Sequence, residues 1–161
     1  LAFEEFIAHD TICDFLEKQG YTVTRKAYGV ETAFEVVSGE GGRLISINAE
    51  YDALPEIGHA CGHHLIAAVG ISAFFGLSAA LKARGIPGRV QLLGTPAEES
   101  GGGKVSLLNA GAYKGVDAAL MRSVNYKLQI SKPTVVMQLL SERIKTIWLH
   151  SIKPKLCQSH D

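Results

Sequence analysis

Cysteine, tryptophan and net charge are all scarce in this chain of 161 residues, and each scarcity excludes a class of protein. There are three cysteines, Cys13, Cys61 and Cys157, odd in number and far apart. That pattern is no disulfide framework, and it favours a reducing, cytoplasmic setting. Formal charge is zero, so no basic footprint for nucleic acid or a membrane surface shows in the total. No uninterrupted apolar run has spanning length. The longest, Leu65 to Leu81, is broken by Gly70, Ser72, Gly76 and Ser78 and reads as a buried helix. Glycine is absent after Gly115, and the one tryptophan, Trp148, lies in that glycine-free end. Methionine does not open the chain either: Leu1 already stands inside an amphipathic pattern, which reads as a processed or truncated start.

What remains is ordinary for a globular domain with a real core, at 47% hydrophobic and 20% charged residues. Two compositions share the chain. Residues 1–122 carry 14 acidic and 10 basic side chains, and residues 123–161 carry 2 and 6. The tail has two readings. Either Val136, Leu139, Leu140, Ile144, Ile147 and Trp148 line one face of a helix after Pro133, or the segment is foreign to the domain. The second is favoured, for a reason given below.

Phe3, Phe6, Ile7, Ile12, Phe15 and Leu16 recur at helical spacing, with Gly20 where a helix stops. Strands are predicted over Tyr21 to Ala27, Thr32 to Ser38 and Arg43 to Ala49, the last two joined by Gly41-Gly42. A long helix follows from His63 to Ala83, then a strand from Val90 to Leu93. A short helix from Lys104 to Ala112 and a strand from Ala118 to Met121 complete the pattern. From Arg43 onward strands and helices alternate, which predicts an α/β layered domain with a largely parallel core. In such sheets ligands gather beyond the carboxyl ends of strands. Asp52, Cys61, His63, Glu98 and Glu99 all fall on that edge.

Cys61 and His63 are separated only by Gly62, so in an extended loop both face the same side. Thiolate and imidazole suit zinc, and a carboxylate can complete the shell. Glu98-Glu99 end a predicted strand before Gly101-Gly102-Gly103. Neighbouring side chains diverge, so one carboxylate can bind metal while the other faces an attacking water. Asp52 is placed to orient a histidine or support a ligand. His59 and His64 are open between hydrogen-bonding helper, metal neighbour and surface residue. His9, His150 and His160 carry no signal. Gly101-Gly102-Gly103-Lys104 fails the phosphate-loop pattern, because Glu98 and Val105 stand where Gly and Ser or Thr are required, and nucleotide binding is left as a weak alternative.

Three segments together carry a resemblance: Ala49-Glu50-Tyr51-Asp52-Ala53-Leu54-Pro55, His59-Ala60-Cys61-Gly62-His63 and Gly94-Thr95-Pro96-Ala97-Glu98-Glu99. They resemble the aminoacylase, carboxypeptidase and hippurate-hydrolase family of metallopeptidases (peptidase family M20), in its amidohydrolase branch. The similarity runs from Leu1 to about Arg122. It implies a layered α/β/α catalytic domain with a mixed, largely parallel sheet, truncated here and without the lid and dimerisation domain through which full-length relatives form homodimers. It also implies a two-metal site, zinc with manganese or cobalt as alternatives, hydrolysing an amide bond in dipeptides or N-acyl amino acids. Cys61, His63 and Glu99 are the implied metal ligands, Glu98 the general base, and Asp52 the residue holding the site in register.

The departures are specific. Ser123 stands where the family carries a metal-binding His, a second distant His is absent, His64 replaces Asp or Asn, and Glu56 replaces Gly. Resemblance stops where composition changes, which favours a tail foreign to the fold and an impaired enzyme. A non-catalytic metal-binding or regulatory module and a Cys61 thiol hydrolase are the competing expectations.

Overall fold

In a computed structural model of the chain, residues 1–122 are described; the tail helix expected after Pro133 and the position of Ser123 lie outside them. The elements are α1 (Phe6–Lys18), β1 (Thr24–Arg25), a short 3-10 turn (Ala27–Gly29), β2 (Phe34–Glu40), β3 (Arg43–Ala49), α2 (His63–Arg84), β4 (Gly88–Gly94), α3 (Gly103–Asn109) and β5 (Ala118–Leu120). They form a five-stranded mixed sheet in the order β1-β2-β4-β3-β5. β3 runs parallel to both β4 and β5, and β2 runs antiparallel to β4 and β1.

Side-chain alternation along β4 sorts the core into two layers. Val90 and Leu92 join Phe34, Val36, Ile47 and Phe74 on the face covered by α1 and α2. Leu93 joins Ala33, Leu107 and Ala112 on the face covered by α3. The result is a sheet with helices on both sides. α2 packs through Ile66, Ala67, Gly70, Phe74 and Ser78, and Gly70 sits so close that an added Cβ would lie 3.1 Å from the Asn48 carbonyl. By length and composition α2 matches a membrane span. The expectation of a buried helix holds for that one stripe only, since Leu65 and Val69 are about half exposed.

β2 and β3 follow one another across Gly41-Gly42 yet do not pair. Glu40 and Arg43 both register with Gly88, so β4 lies between them. Three residue steps span at most about 11 Å, just enough to cross two strand spacings of about 4.8 Å. The crossing hugs the start of β4. Gly42 has φ +51, and a Cβ there would fall 2.1 Å from the Pro87 carbonyl oxygen.

Two expectations need correction. The strand expected over Tyr21 to Ala27 shrinks to Thr24–Arg25, because Lys26 (φ 52) and Tyr28 (φ 58) take left-handed conformations that end it. The apolar face expected of α1 is also rotated. His9, Cys13 and Leu16 are its buried residues, whereas Ile7 is 87% exposed. Arg25 of β1 binds Asp10, Asp14 and Glu17, an acidic stripe at i, i+4 and i+7, which fixes that roll.

Candidate metal centre

The carboxyl end of β3 leads directly into Glu50, Tyr51 and Asp52, all buried. The carboxyl end of β4 leads into Thr95-Pro96-Ala97 and then Glu98-Glu99. α2 opens at His63, after Gly62 turns the chain with φ +75. Three separate segments thus meet at one end of the parallel strands, as expected for a ligand site in an α/β sheet.

His63 is the centre of the arrangement. Its Nδ1 lies 2.8 Å from Asp52 Oδ1 and 3.1 Å from the Asp52 carbonyl oxygen. Both partners accept, so Nδ1 carries the proton and, in the neutral ring, Nε2 carries a lone pair. That Nε2 faces Glu99 Oε1 at 3.5 Å, Glu98 Oε2 at 3.6 Å and Glu50 Oε2 at 3.6 Å. A lone pair surrounded by carboxylate oxygens is unfavourable by itself and is resolved by a cation placed among them. The ligand atoms of His63, Glu98 and Glu99 lie within 4.8 Å of one another, close enough to share one ion. Nitrogen and oxygen donors of this kind suit a divalent transition metal or zinc, so the residues present fit the group that the motif implies.

Asp52 ties two segments together, since its Oδ2 accepts the Glu99 backbone N–H at 3.0 Å. Its side chain is fully buried, while those of Glu98 and Glu99 are 44% and 21% exposed. Glu98 therefore has the readiest access to solvent.

Cys61 lies on the exposed approach to α2 and is outside the tight three-residue cluster. Its thiol pKa is raised, first by the Glu99 carboxylate and then by desolvation. The rings of His59 and His64 pack at 4.8 Å, apart from the cluster. The His59 pKa is lowered, first by burial and then by its neighbours His64 and His63.

Two participants were invisible as individuals in the sequence. Glu50 is 2% exposed and turns one oxygen towards His63. Its other oxygen binds the ammonium of Lys104, in the first turn of α3. The i, i+2 spacing of Glu50 and Asp52 is the one signal that places both on the same side of the strand end. Lys104 had no such signal. It follows the glycine run that fails as a phosphate loop, and its charge is spent on a buried carboxylate.

Comparisons with known proteins place the chain among metallopeptidases and amidohydrolases. The model of peptidase family M20/M25/M40 matches residues 46–160. Xaa-Arg dipeptidase of Mus musculus is 42% identical over 133 residues, covering 75% of this chain and 31% of that protein. One component of the p-aminobenzoyl-glutamate hydrolase of Escherichia coli (strain K12) is 34% identical over 135 residues, covering 73% of this chain and 28% of that protein. A solved dinuclear metal binding peptidase from the M20 family of Bacillus subtilis superimposes with a TM-score of 0.60 at 28% identity, covering 74% of this chain and 37% of its own. The chain thus spans about a third of the length of the relatives it matches.

Proposed function

The chain belongs to peptidase family M20/M25/M40, and on that premise we propose that its centre serves metal-dependent hydrolysis of an amide bond in dipeptides or N-acyl amino acids. The observation that carries this reading is the pose of His63. Its Nδ1 is bound to Asp52, and its Nε2 is turned to three carboxylate oxygens at 3.5–3.6 Å.

Cys61, His63 and Glu99 are the residues that would hold the metal, zinc being the first choice for a thiolate, imidazole and carboxylate set. When bound, the metal lowers the pKa of water and polarises the scissile carbonyl. Glu98 accepts the proton released by the attacking water and delivers it to the departing amine. Asp52 keeps the proton on His63 Nδ1, so that Nε2 stays available. Glu50, neutralised by Lys104, closes the floor of the cluster without adding an unpaired charge. The buried, unpaired Cys13 and the exposed free thiol of Cys61 support a reducing, cytoplasmic location.

The test uses the full chain with zinc, cobalt or manganese, dipeptide and N-acyl amino acid substrates, and amine release as the readout. Glu98→Gln should retain metal while hydrolysis falls by about 100-fold or more. Undiminished turnover would exclude Glu98 as the base. Turnover that survives chelation yet stops on alkylation of Cys61 would favour the thiol hydrolase instead. Stoichiometric metal with no hydrolysis would favour a binding module.

A further inference from the structure

We propose that Glu5, at the start of α1, is a positioning residue for Glu98 and Glu99, acting through the peptide of Ala97. Glu5 occupies the N-cap position of α1, but its side chain makes no capping bond to the helix. It turns inward and is 5% exposed. Its Oε1 accepts the Ala97 N–H at 2.9 Å, across 92 positions of sequence, and the Phe3 N–H at 3.0 Å. Its Oε2 accepts the Thr32 hydroxyl at 2.7 Å. Among the described residues no Lys, Arg or His pairs with this carboxylate, so backbone and hydroxyl donors alone satisfy it.

The bond to Ala97 matters because of the conformation found there. Ala97 is fully buried with φ +55, a left-handed state that an L-residue with a Cβ adopts only when its surroundings enforce it. The enforcement comes from both ends of the residue. Glu5 takes its N–H, and its carbonyl accepts the N–H groups of Gly101 and Gly103 at 3.2 Å each. Those glycines leave no slack, since a Cβ on Gly103 would lie 1.8 Å from the Pro96 carbonyl oxygen. The next two residues are Glu98 and Glu99, so the direction of both carboxylates is set by the turn that Glu5 holds. A buried acceptor at the start of the chain thereby governs donor geometry at the site. The consequence for metal rests on the proposed metal centre; the hold on the turn does not.

The experiment follows amide hydrogen exchange at Ala97 and Co²⁺ affinity in the full 161-residue chain. Glu5→Ala should speed Ala97 exchange and weaken Co²⁺ binding, each by about tenfold or more, with far-UV dichroism unchanged. Glu5→Gln keeps the acceptor oxygen and should hold both within about threefold. A Glu5→Ala protein that folds with native Ala97 protection, or with native Co²⁺ affinity, would overturn the proposal, since a merely structural glutamate lowers stability alone. Should the native chain take up no Co²⁺, the metal-centre reading falls, and Ala97 exchange still decides whether Glu5 holds the turn. Should Glu5→Ala fail to fold, the double variant Glu5→Ala/Ala97→Gly decides. Glycine accepts φ +55 without strain, so recovered folding and Co²⁺ binding support the proposal, and no recovery overturns it.

Discussion

Glu99 donates its backbone N–H to the buried carboxylate of Asp52 at 3.0 Å, joining the loops after β4 and β3. The other oxygen of the same carboxylate binds His63 Nδ1 at 2.8 Å. One side chain therefore fixes two candidate ligands, and its variants are expected to separate the two functions. Asp52→Asn retains an acceptor for His63 but turns an amide donor towards the Glu99 N–H, and zinc affinity should fall about tenfold. Asp52→Ala loses both bonds, and the fall should approach about 100-fold. Equilibrium dialysis measures both. Equal affinities in the three proteins would show that Asp52 does not organise the site.

Lys104 neutralises Glu50, and removing it leaves a buried carboxylate with no cation. Lys104→Met keeps the aliphatic stem, and the metal-free protein should lose about 2–3 kcal/mol of stability, because one partner of a largely buried pair is stranded. Zinc should recover part of that loss by supplying positive charge next to Glu50. Urea unfolding with and without zinc tests this, and a variant as stable as the native chain would deny Lys104 its role.

Cys13 yields an expectation about alkaline pH. Burial pushes its thiol up to about 12, although Arg25 opposes the shift. A folded-state pKa raised above the unfolded one contributes stability that is complete below the ordinary thiol pKa, about 8.5, and is lost as pH rises through the folded value. Stability should therefore decline progressively between about pH 9 and pH 12. Tyr28, also raised to about 12 by burial and by its bond to Glu35, adds to the same decline above about pH 10. Cys13→Ala should flatten the slope without abolishing it. Urea midpoints at pH 8 and pH 10.5 provide the comparison, and identical slopes would refute the assignment.

Glu56 is a non-glycine residue in the left-handed region, with φ +65. It is exposed, so its side chain contributes little that offsets the strain. Glu56→Gly should stabilise the protein by about 1 kcal/mol, raising the melting temperature by about 2–5 °C. Scanning calorimetry would register the change; an unchanged or lower transition would mean that the loop relaxes around glutamate.

Much of the fold was legible because periodicity and punctuation agree. β3 was read from Arg43 to Ala49, its observed bounds, and α2 from its observed first residue, His63. The order of strands was not legible, because nothing in the side chains of β2 and β3 says that β4 lies between them. The end of β1 was missed since Lys26 and Tyr28, unlike glycine, give no warning of positive φ. At the site, convergence of His63, Glu98 and Glu99 followed from where strands end. Glu5, Glu50 and Lys104 were opaque: a lone charged residue looks like solvated surface until packing shows what lies above it.

The crossing of Gly41-Gly42 beneath the start of β4 has a kinetic meaning. No hairpin forms across that crossing, because β2 and β3 each pair with β4, about 45–60 residues later, and the local partner of β2 is the two-residue β1. During synthesis at about 5–20 residues per second, Phe34, Val36 and Ile47 emerge several seconds before Val90 and Leu92 arrive to cover them. Through that interval the nascent polypeptide presents a sticky, unzipped ribbon, and chaperone capture or strand-to-strand aggregation competes with threading of the central strand.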